Sequence, residues 1–199
     1  MKSICLFILV FITALSGANS VNAQTPAAPA APPAPAPVVY QVPNPTYVSI
    51  PMEIEVNRPA AEVWKRVGKY CDIGEWARRP CTILSGKDGE FGAVRSVANE
   101  ILVAKTELSY TYTQPVREGV VYNLYHGTLE ARPVTATTSK LIYTLIFDNS
   151  MLADAAAREA DITRRKTTFT GWLENMKILA EGGTLPPAPP RAGTPPTTR

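Results

Sequence analysis

The order of apolar patterns between residues 52 and 182 constrains the fold more than any other feature of this chain. A short alternating strand at Met52–Asn57 precedes a helix opened by Pro59, a run of strands follows, and a long amphipathic helix at roughly 153–181 ends the pattern. A curved antiparallel sheet that folds around one long helix encloses a cavity between the two layers. We therefore expect an α+β domain whose function resides in that cavity.

The strands are predicted from alternating apolar residues and from the turn residues between them. After the first strand, a second short helical turn is predicted at 72–76, with Asp72 as its cap. The remaining strands are predicted at 81–84, 93–97, 100–105, 107–113, 121–132 and 139–147, which gives a sheet of six to seven strands. The alternation places Tyr110, Tyr112, Tyr125 and Tyr143 on the concave face and His126 on the opposite face.

In the last helix, apolar residues recur at helical spacing and predict the face that packs on the sheet. That predicted face consists of Ile162, Phe169, Leu173, Met176 and Leu179.

Both ends of the chain have compositions that do not predict a core. Lys2 precedes the apolar run 4–15, and Ala23 closes a small-x-Ala cleavage site, so residues 1–23 are expected to be a signal peptide. A membrane anchor is the alternative, but the run is short for a span. Nine of the 19 prolines lie between residues 26 and 51 and six between 186 and 196. We expect a Pro/Ala-rich linker at 24–50, a domain at 51–182 and a disordered tail at 183–199.

These ends predict an exported protein, periplasmic or secreted, with no transmembrane segment in the mature chain. The formal net charge of +3 is mild, and no basic cluster is interleaved with aromatic residues, so a nucleic-acid partner is not expected. With one histidine and no carboxylate cluster at ligand spacing, we expect no metal site, no cofactor and no histidine-based triad. A monomer or weak dimer is expected.

Two cysteines remain after cleavage of the signal, Cys71 and Cys81. In an oxidising compartment they are expected to form a disulfide. Two buried free thiols are the alternative.

The candidate binding residues each have a structural alternative. Arg95 and Glu100 are expected to be a buried pair that grips a ligand, or else a structural ion pair. Arg79 is either a cation at the cavity mouth or part of a solvated Arg78-Arg79 pair. The four tyrosines of the concave face either line a void, where a phenol suits a mostly apolar ligand, or pack as core. These candidate tyrosines are Tyr110, Tyr112, Tyr125 and Tyr143.

Several motifs, in this order, resemble the SRPBCC superfamily over about residues 50–182. They are Val63-Trp64, Trp76, the segment Gly92-Ala93-Val94-Arg95-Ser96-Val97 and the segment Tyr125-His126-Gly127-Thr128-Leu129. This superfamily has the helix-grip fold and includes START lipid-transfer domains, polyketide cyclases, birch-pollen-type allergens and plant abscisic acid receptors. The resemblance implies the same fold for this chain.

The receptor branch of the superfamily also implies positions for pocket residues. Its pocket arginine falls on Arg95, its acidic residue on Glu100, its lysine on Arg79, its tyrosine on Tyr125 and its helix asparagine on Asn175. The gate and latch motifs of those receptors are absent, so hormone gating and phosphatase docking are not implied.

The cavity and the resemblance together predict that the domain binds or transports a small hydrophobic molecule of lipid, isoprenoid or aromatic polyketide type. A cyclase- or dehydratase-like enzyme acting on a hydrophobic carbonyl substrate is the first alternative, with Tyr, Glu100 or Arg95 polarising the carbonyl. An interaction module whose cavity is filled by its own side chains is the second. The lack of an obvious base favours binding over catalysis.

Overall fold

The structure, a computed structural model, describes residues 44–187. Seven strands and three helices follow one another in the order that the sequence predicts. In chain order they are β1 (Tyr47–Val56), α1 (Ala60–Val67), α2 (Ile73–Trp76), β2 (Ile83–Ser85), β3 (Val94–Arg95), β4 (Glu100–Lys105), β5 (Ser109–Thr113), β6 (Asn123–Pro133), β7 (Ser139–Asp148) and α3 (Ala155–Ala180).

All seven strands form one antiparallel sheet in the order β1-β7-β6-β5-β4-β3-β2. Strands β2 to β7 are a meander in which each strand pairs with the next along the chain. The first strand joins the far edge by pairing with the last, from Tyr47 opposite Asp148 to Val56 opposite Ser139. This sheet with its long C-terminal helix is the predicted helix-grip architecture, which is confirmed.

Irregularities in the ladder bend the sheet into a cup. The pairing register shifts between Leu102 and Ala104 on β4 and between Asn123 and His126 on β6. An extra residue at such a bulge bends its strand and increases the local twist. At the second bulge Leu124 takes a left-handed backbone, with φ of 50°.

The first strand begins at Tyr47 and not at Met52, so the predicted linker boundary at residue 50 is wrong. Pro51 lies inside this strand, opposite Thr144 of β7. A proline cannot donate a ladder hydrogen bond, but β1 is an edge strand and its outer side has no neighbour that needs one. The proline that suggested a boundary is therefore compatible with a strand.

The concave face carries the predicted aromatic alternation. Tyr110, Tyr112, Tyr125 and Tyr143 are buried, whereas His126 is exposed on the other face. With them the core of the cup contains Leu102, Leu129, Ala131, Leu141, Leu145 and Phe147.

The long helix α3 closes the cup, but its buried face differs from the predicted one in the first turns. Phe169, Leu173, Met176 and Leu179 are buried as expected. Ile162 is only half-buried, and the stripe continues instead through two charged residues, Asp161 and Arg165. These two can be buried because Arg165 Nε donates to Asp161 Oδ2 at 2.7 Å, so each charge has a partner.

Two further predictions, the cap of α2 and the end of the domain, are corrected by hydrogen bonds and packing. Asp72 precedes α2, but its carboxylate accepts from the Lys69 N–H at 2.9 Å and does not cap the helix. The domain also continues beyond residue 182, since Leu185 packs against the core and the Pro186 carbonyl accepts a hydrogen bond from Arg78. The predicted signal peptide and the rest of the predicted tail, 188–199, lie outside the described residues.

The connection between α1 and β2 is closed by a disulfide between Cys71 and Cys81, whose Cα atoms are 5.5 Å apart. None of the helices in the described part combines the length and the hydropathy that a membrane span requires.

A glycine in β6 allows the close packing of the concave face. A Cβ built on Gly127 would overlap the ring and hydroxyl of Tyr112, which is buried and cannot move away. We expect Gly127→Ala to lower the free energy of unfolding by about 1–3 kcal/mol through overpacking. Urea denaturation measures this.

The matched control for this prediction is Gly171→Ala, in the middle of α3, where an added Cβ meets no atom. It should raise the free energy of unfolding by up to about 1 kcal/mol, because alanine is the better helix former. Equal effects of the two substitutions would contradict the packing argument.

Candidate functional site

A cavity of about 390 Å³ lies between the concave face of the sheet and α3; we call it the cup cavity. Its floor comes from β4, β5 and β6, and one wall comes from α3. Aromatic and arginine side chains dominate the lining, which consists of Ile73, Arg79, Val97, Ala98, Glu100, Tyr112, Gln114, Arg117, Tyr122, Tyr125, Arg164, Arg165, Thr168, Phe169 and Trp172.

Arg95 and Glu100 are the most deeply buried ion pair of the domain's described part. They face each other across the β3–β4 hairpin. Arg95 Nε donates to Glu100 Oε2 at 2.6 Å, and the other carboxylate oxygen accepts from Gln114 Nε2 at 2.8 Å. The Arg95 guanidinium also donates to the Tyr70 carbonyl. Glu100 reaches the cavity lining, whereas Arg95 lies behind it without access to solvent.

Burial raises the pKa of the Glu100 carboxyl above its ordinary value, although Arg95 and Gln114 act in the opposite direction. The charge of this carboxylate therefore depends on its partners. With both oxygens already bonded, Glu100 is an occupied acceptor rather than a free base.

The tyrosines of the concave face are neutral hydrogen-bonding groups. Burial raises the pKa of Tyr112, Tyr125 and Tyr143 above the ordinary tyrosine value. The hydroxyls of Tyr112 and Tyr143 lie 2.9 Å apart and bond each other. Tyr125 stacks on Phe147, with ring centroids 5.8 Å apart.

Four arginines line the cup cavity. Arg165 lies over the rings of Phe147 and Tyr122, with its guanidinium carbon 4.4 Å and 4.6 Å from the ring centroids. Arg79 lies over Trp172 at 5.5 Å. Such cation–π contacts help to hold a guanidinium against an aromatic face. The other two are Arg117, in the β5–β6 connection, and Arg164 on α3.

The structure brings together half of the predicted ligand-binding residues. Arg79, Glu100, Tyr112 and Tyr125 line the cup cavity. Their role in binding stays a prediction.

The other half of that set lies elsewhere. Arg95 is behind Glu100. Tyr143 is packed between Trp76 and Phe169, with ring centroids 6.4 and 4.8 Å away. Asn175 does not reach the lining, because its Nδ2 donates to the Trp76 carbonyl at 2.8 Å and so joins α3 to α2.

Tyr110, also predicted to bind ligand, faces a second cavity. This lysine cleft, of about 550 Å³, opens at the surface between α1 and the β4–β5 hairpin. Its members include Trp64, Lys65, Lys69, Asp88, Lys105, Glu107 and Tyr110. The Arg95 guanidinium contacts the rings of both Tyr110 and Tyr112, so it forms the wall between the cleft and the cup cavity. Although the cleft is larger, it contains one of the predicted ligand-binding residues and the cup cavity contains four, so we place the candidate site in the cup cavity.

Sequence reasoning missed Arg117, Arg164 and Arg165. Arg165 lies one helical turn before Phe169 and extends the buried stripe of Phe169 and Leu173 toward the start of the helix. Asp161 lies four residues before Arg165. That acid–base spacing on the buried stripe was the available signal. For Arg117, in a connection without periodicity, the sequence gives none.

Within residues 44–187, no group of three or more His, Cys, Asp or Glu side chains is arranged to hold an ion. The Nδ1 atom of His126 lies 3.0 Å from the Leu124 carbonyl oxygen on the exposed face, away from the cup cavity.

Solved structures similar to this one share its fold. A Thermobifida fusca protein superposes with a TM-score of 0.56 at 23% identity, over 68% of this chain and 95% of the other. A Nitrosospira multiformis protein gives 0.54 at 23% identity, over 66% and 94%. Truncated norcoclaurine synthase from Thalictrum flavum gives 0.51 at 10% identity, over 72% and 99%. No family model and no curated protein matches the sequence. The similarity confirms the helix-grip fold that the SRPBCC resemblance implied.

The burial of Arg95 predicts how its substitution changes the free energy of unfolding. Arg95→Met should lower the free energy of unfolding by about 3–5 kcal/mol near neutral pH, because Glu100 is left without its cation. The pKa of Glu100 then rises further in the folded state. A carboxyl whose pKa is raised in the folded state stabilises the fold at pH values below its unfolded pKa, and this stabilisation is lost as the pH rises. The difference in unfolding free energy between the parent and Arg95→Met should therefore become smaller as the pH falls toward about 5.

Urea denaturation across this pH range measures the effect, and Arg95→Met with Glu100→Gln is the control. The double variant should lose the added pH dependence, because the titrating group is gone. A deficit that stays constant with pH in the single variant would contradict the buried-carboxylate argument.

Proposed function

We propose that the domain binds a small hydrophobic molecule in the cup cavity. The observation that carries this proposal is an unfilled space of about 390 Å³ with aromatic walls, between a sheet and a helix. Concave sites that combine aromatic side chains with placed polar groups are typical of small-molecule binding. A lipid, an isoprenoid or an aromatic polyketide has the apolar body that these walls suit.

Backbone strain around the cavity supports this location. Arg78, Ala98, Asn99 and Leu124 have φ between 50° and 55°, a region that residues other than glycine rarely adopt. Ala98 lines the cavity, while Arg78 and Leu124 precede the lining residues Arg79 and Tyr125. Strained residues of this kind cluster at ligand sites, where surrounding structure holds them.

The alternative of an enzyme acting on a hydrophobic carbonyl substrate draws on one feature. Neutral phenols on the concave face could donate to a developing oxyanion. Norcoclaurine synthase shares the fold, and one of its structures is of a point mutant in complex with a transition-state analogue. Against this alternative, Glu100 has both oxygens engaged, so we favour binding.

We also propose that the protein is exported and acts in an oxidising compartment. The disulfide between Cys71 and Cys81 supports this, since disulfides persist outside the reducing cytosol. N-terminal sequencing of the mature protein should begin at Gln24. A mature chain that still starts at Met1 would contradict the proposed signal peptide.

Blocking the cup cavity should weaken ligand binding without unfolding the domain. Thr168 lies on α3, lines the cavity and is exposed, so Thr168→Trp places an indole at its mouth. We expect the affinity for the neutral probe N-phenyl-1-naphthylamine to fall at least about tenfold, the equivalent of 1.4 kcal/mol. Probe fluorescence measures the affinity.

Thr167→Trp is the matched control, because Thr167 is exposed on the same helix but does not line the cavity. It should bind the probe as the parent does. Equal binding by both variants would show that the probe does not occupy the cup cavity. A parent protein that binds no probe at all would count against the proposed function.

A further inference from the structure

We propose that the ligand of the cup cavity is an organic anion, with one oxyanion group bound by Arg117 and an apolar body against the aromatic wall. This inference rests on the proposed function and specifies its ligand class. It comes from the charges of the cavity and from one arginine of its lining whose hydrogen-bond partners are both neutral.

The charges around the cavity do not balance. Its described lining contains Arg79, Arg117, Arg164 and Arg165, and Arg95 lies directly behind Glu100. Two carboxylates face these five guanidinium groups: Glu100, which bonds Arg95, and Asp161, which pairs with both Arg164 and Arg165. Three positive charges are therefore in excess. A concave site with low-dielectric walls concentrates the field of such an excess and attracts an anion.

Arg117 is the group best placed to receive it. Its Nη2 donates to the Tyr122 hydroxyl at 3.0 Å and lies 3.4 Å from Gln114 Oε1, and both partners are neutral. Its Nε is buried and has no hydrogen-bond partner among the described residues. Because Nε is closed to water-sized molecules, an oxyanion in the cavity would meet the guanidinium at its Nη atoms, where it would accept a charge-assisted hydrogen bond that the neutral partners cannot match.

Tyr122 connects this arginine to the aromatic wall. Its hydroxyl donates to Gln114 Oε1 at 2.6 Å while accepting from Arg117, and its ring lies beneath Arg165. The rings of Tyr125 and Phe169 continue the lining beyond it. A molecule with its oxyanion at Arg117 would therefore place its apolar part against these rings.

Two probes with the same aromatic body separate charge recognition from apolar binding. The anion 1-anilinonaphthalene-8-sulfonate carries a sulfonate, and N-phenyl-1-naphthylamine is its neutral counterpart. We expect the folded protein to bind the sulfonate about tenfold more tightly than the neutral probe, with one site per chain by calorimetry. Added salt should weaken sulfonate binding and leave neutral binding nearly unchanged.

Arg117→Gln tests the assigned residue, and Arg132→Gln is its control. Arg132 is exposed on β6 and pairs with Glu130, outside the cup cavity. Arg117→Gln should remove the preference for the sulfonate while keeping the affinity for the neutral probe, which also shows that the variant is folded. Should Arg117→Gln fail to fold, Arg79→Gln, at an exposed arginine of the lining, should reduce the preference in part.

The outcomes distinguish this inference from the proposed function. Equal affinity of the parent for both probes, or a sulfonate preference that survives in folded Arg117→Gln, would overturn the anion assignment and leave hydrophobic binding intact. Where Arg117→Gln does not fold, an unchanged preference in Arg79→Gln would do the same. Absence of binding of either probe would overturn both. Loss of the preference in Arg132→Gln as well would show a general surface-charge effect and would also overturn the assignment.

Discussion

The guanidinium of Arg95 is the group on which the arrangement of the cup depends. It has no solvent access, bonds the Glu100 carboxylate and the Tyr70 carbonyl, and lies 4.3 Å and 4.8 Å from the ring centroids of Tyr70 and Tyr112. A charge taken out of water is tolerated only when all its partners are in place. The β3–β4 hairpin, β5 and the segment after α1 must therefore assemble together, and the wall between the two cavities forms when they do.

Local pattern was sufficient for most of the fold because the cup has one buried and one solvated face. Alternation then indicates which face of the sheet each side chain occupies, and β4 has the bounds that its sequence predicts, Glu100–Lys105. The pattern failed where the same residue is compatible with two different structures. A proline such as Pro51 ends an interior strand but can lie within an edge strand. The local sequence does not show whether a strand will be at the edge of the sheet, because strand order depends on the whole fold.

The candidate site was harder to predict, since its decisive residues are charged and buried. A hydrophobic pattern assigns Ile162 to the core and Arg165 to solvent, yet the structure has Arg165 buried and Ile162 half-buried. The reversal depends on Asp161 and on the aromatic rings of the concave face that α3 packs against, which only the tertiary fold brings together. The family resemblance indicated Arg95 and Glu100, but it could not show that they satisfy each other.

The same aromatic side chains have two effects on the cavity. Their faces contact Arg165 and Arg79 by cation–π interaction, which adds to the ion pair that Arg165 makes with Asp161. Other rings of the lining, with their neutral hydroxyls, lie beside these cations. A cavity built in this way has a positive field next to a hydrophobic surface. It would discriminate against a purely apolar molecule, which leaves the cations unpaired, and against a small inorganic anion, which leaves the aromatic wall uncovered.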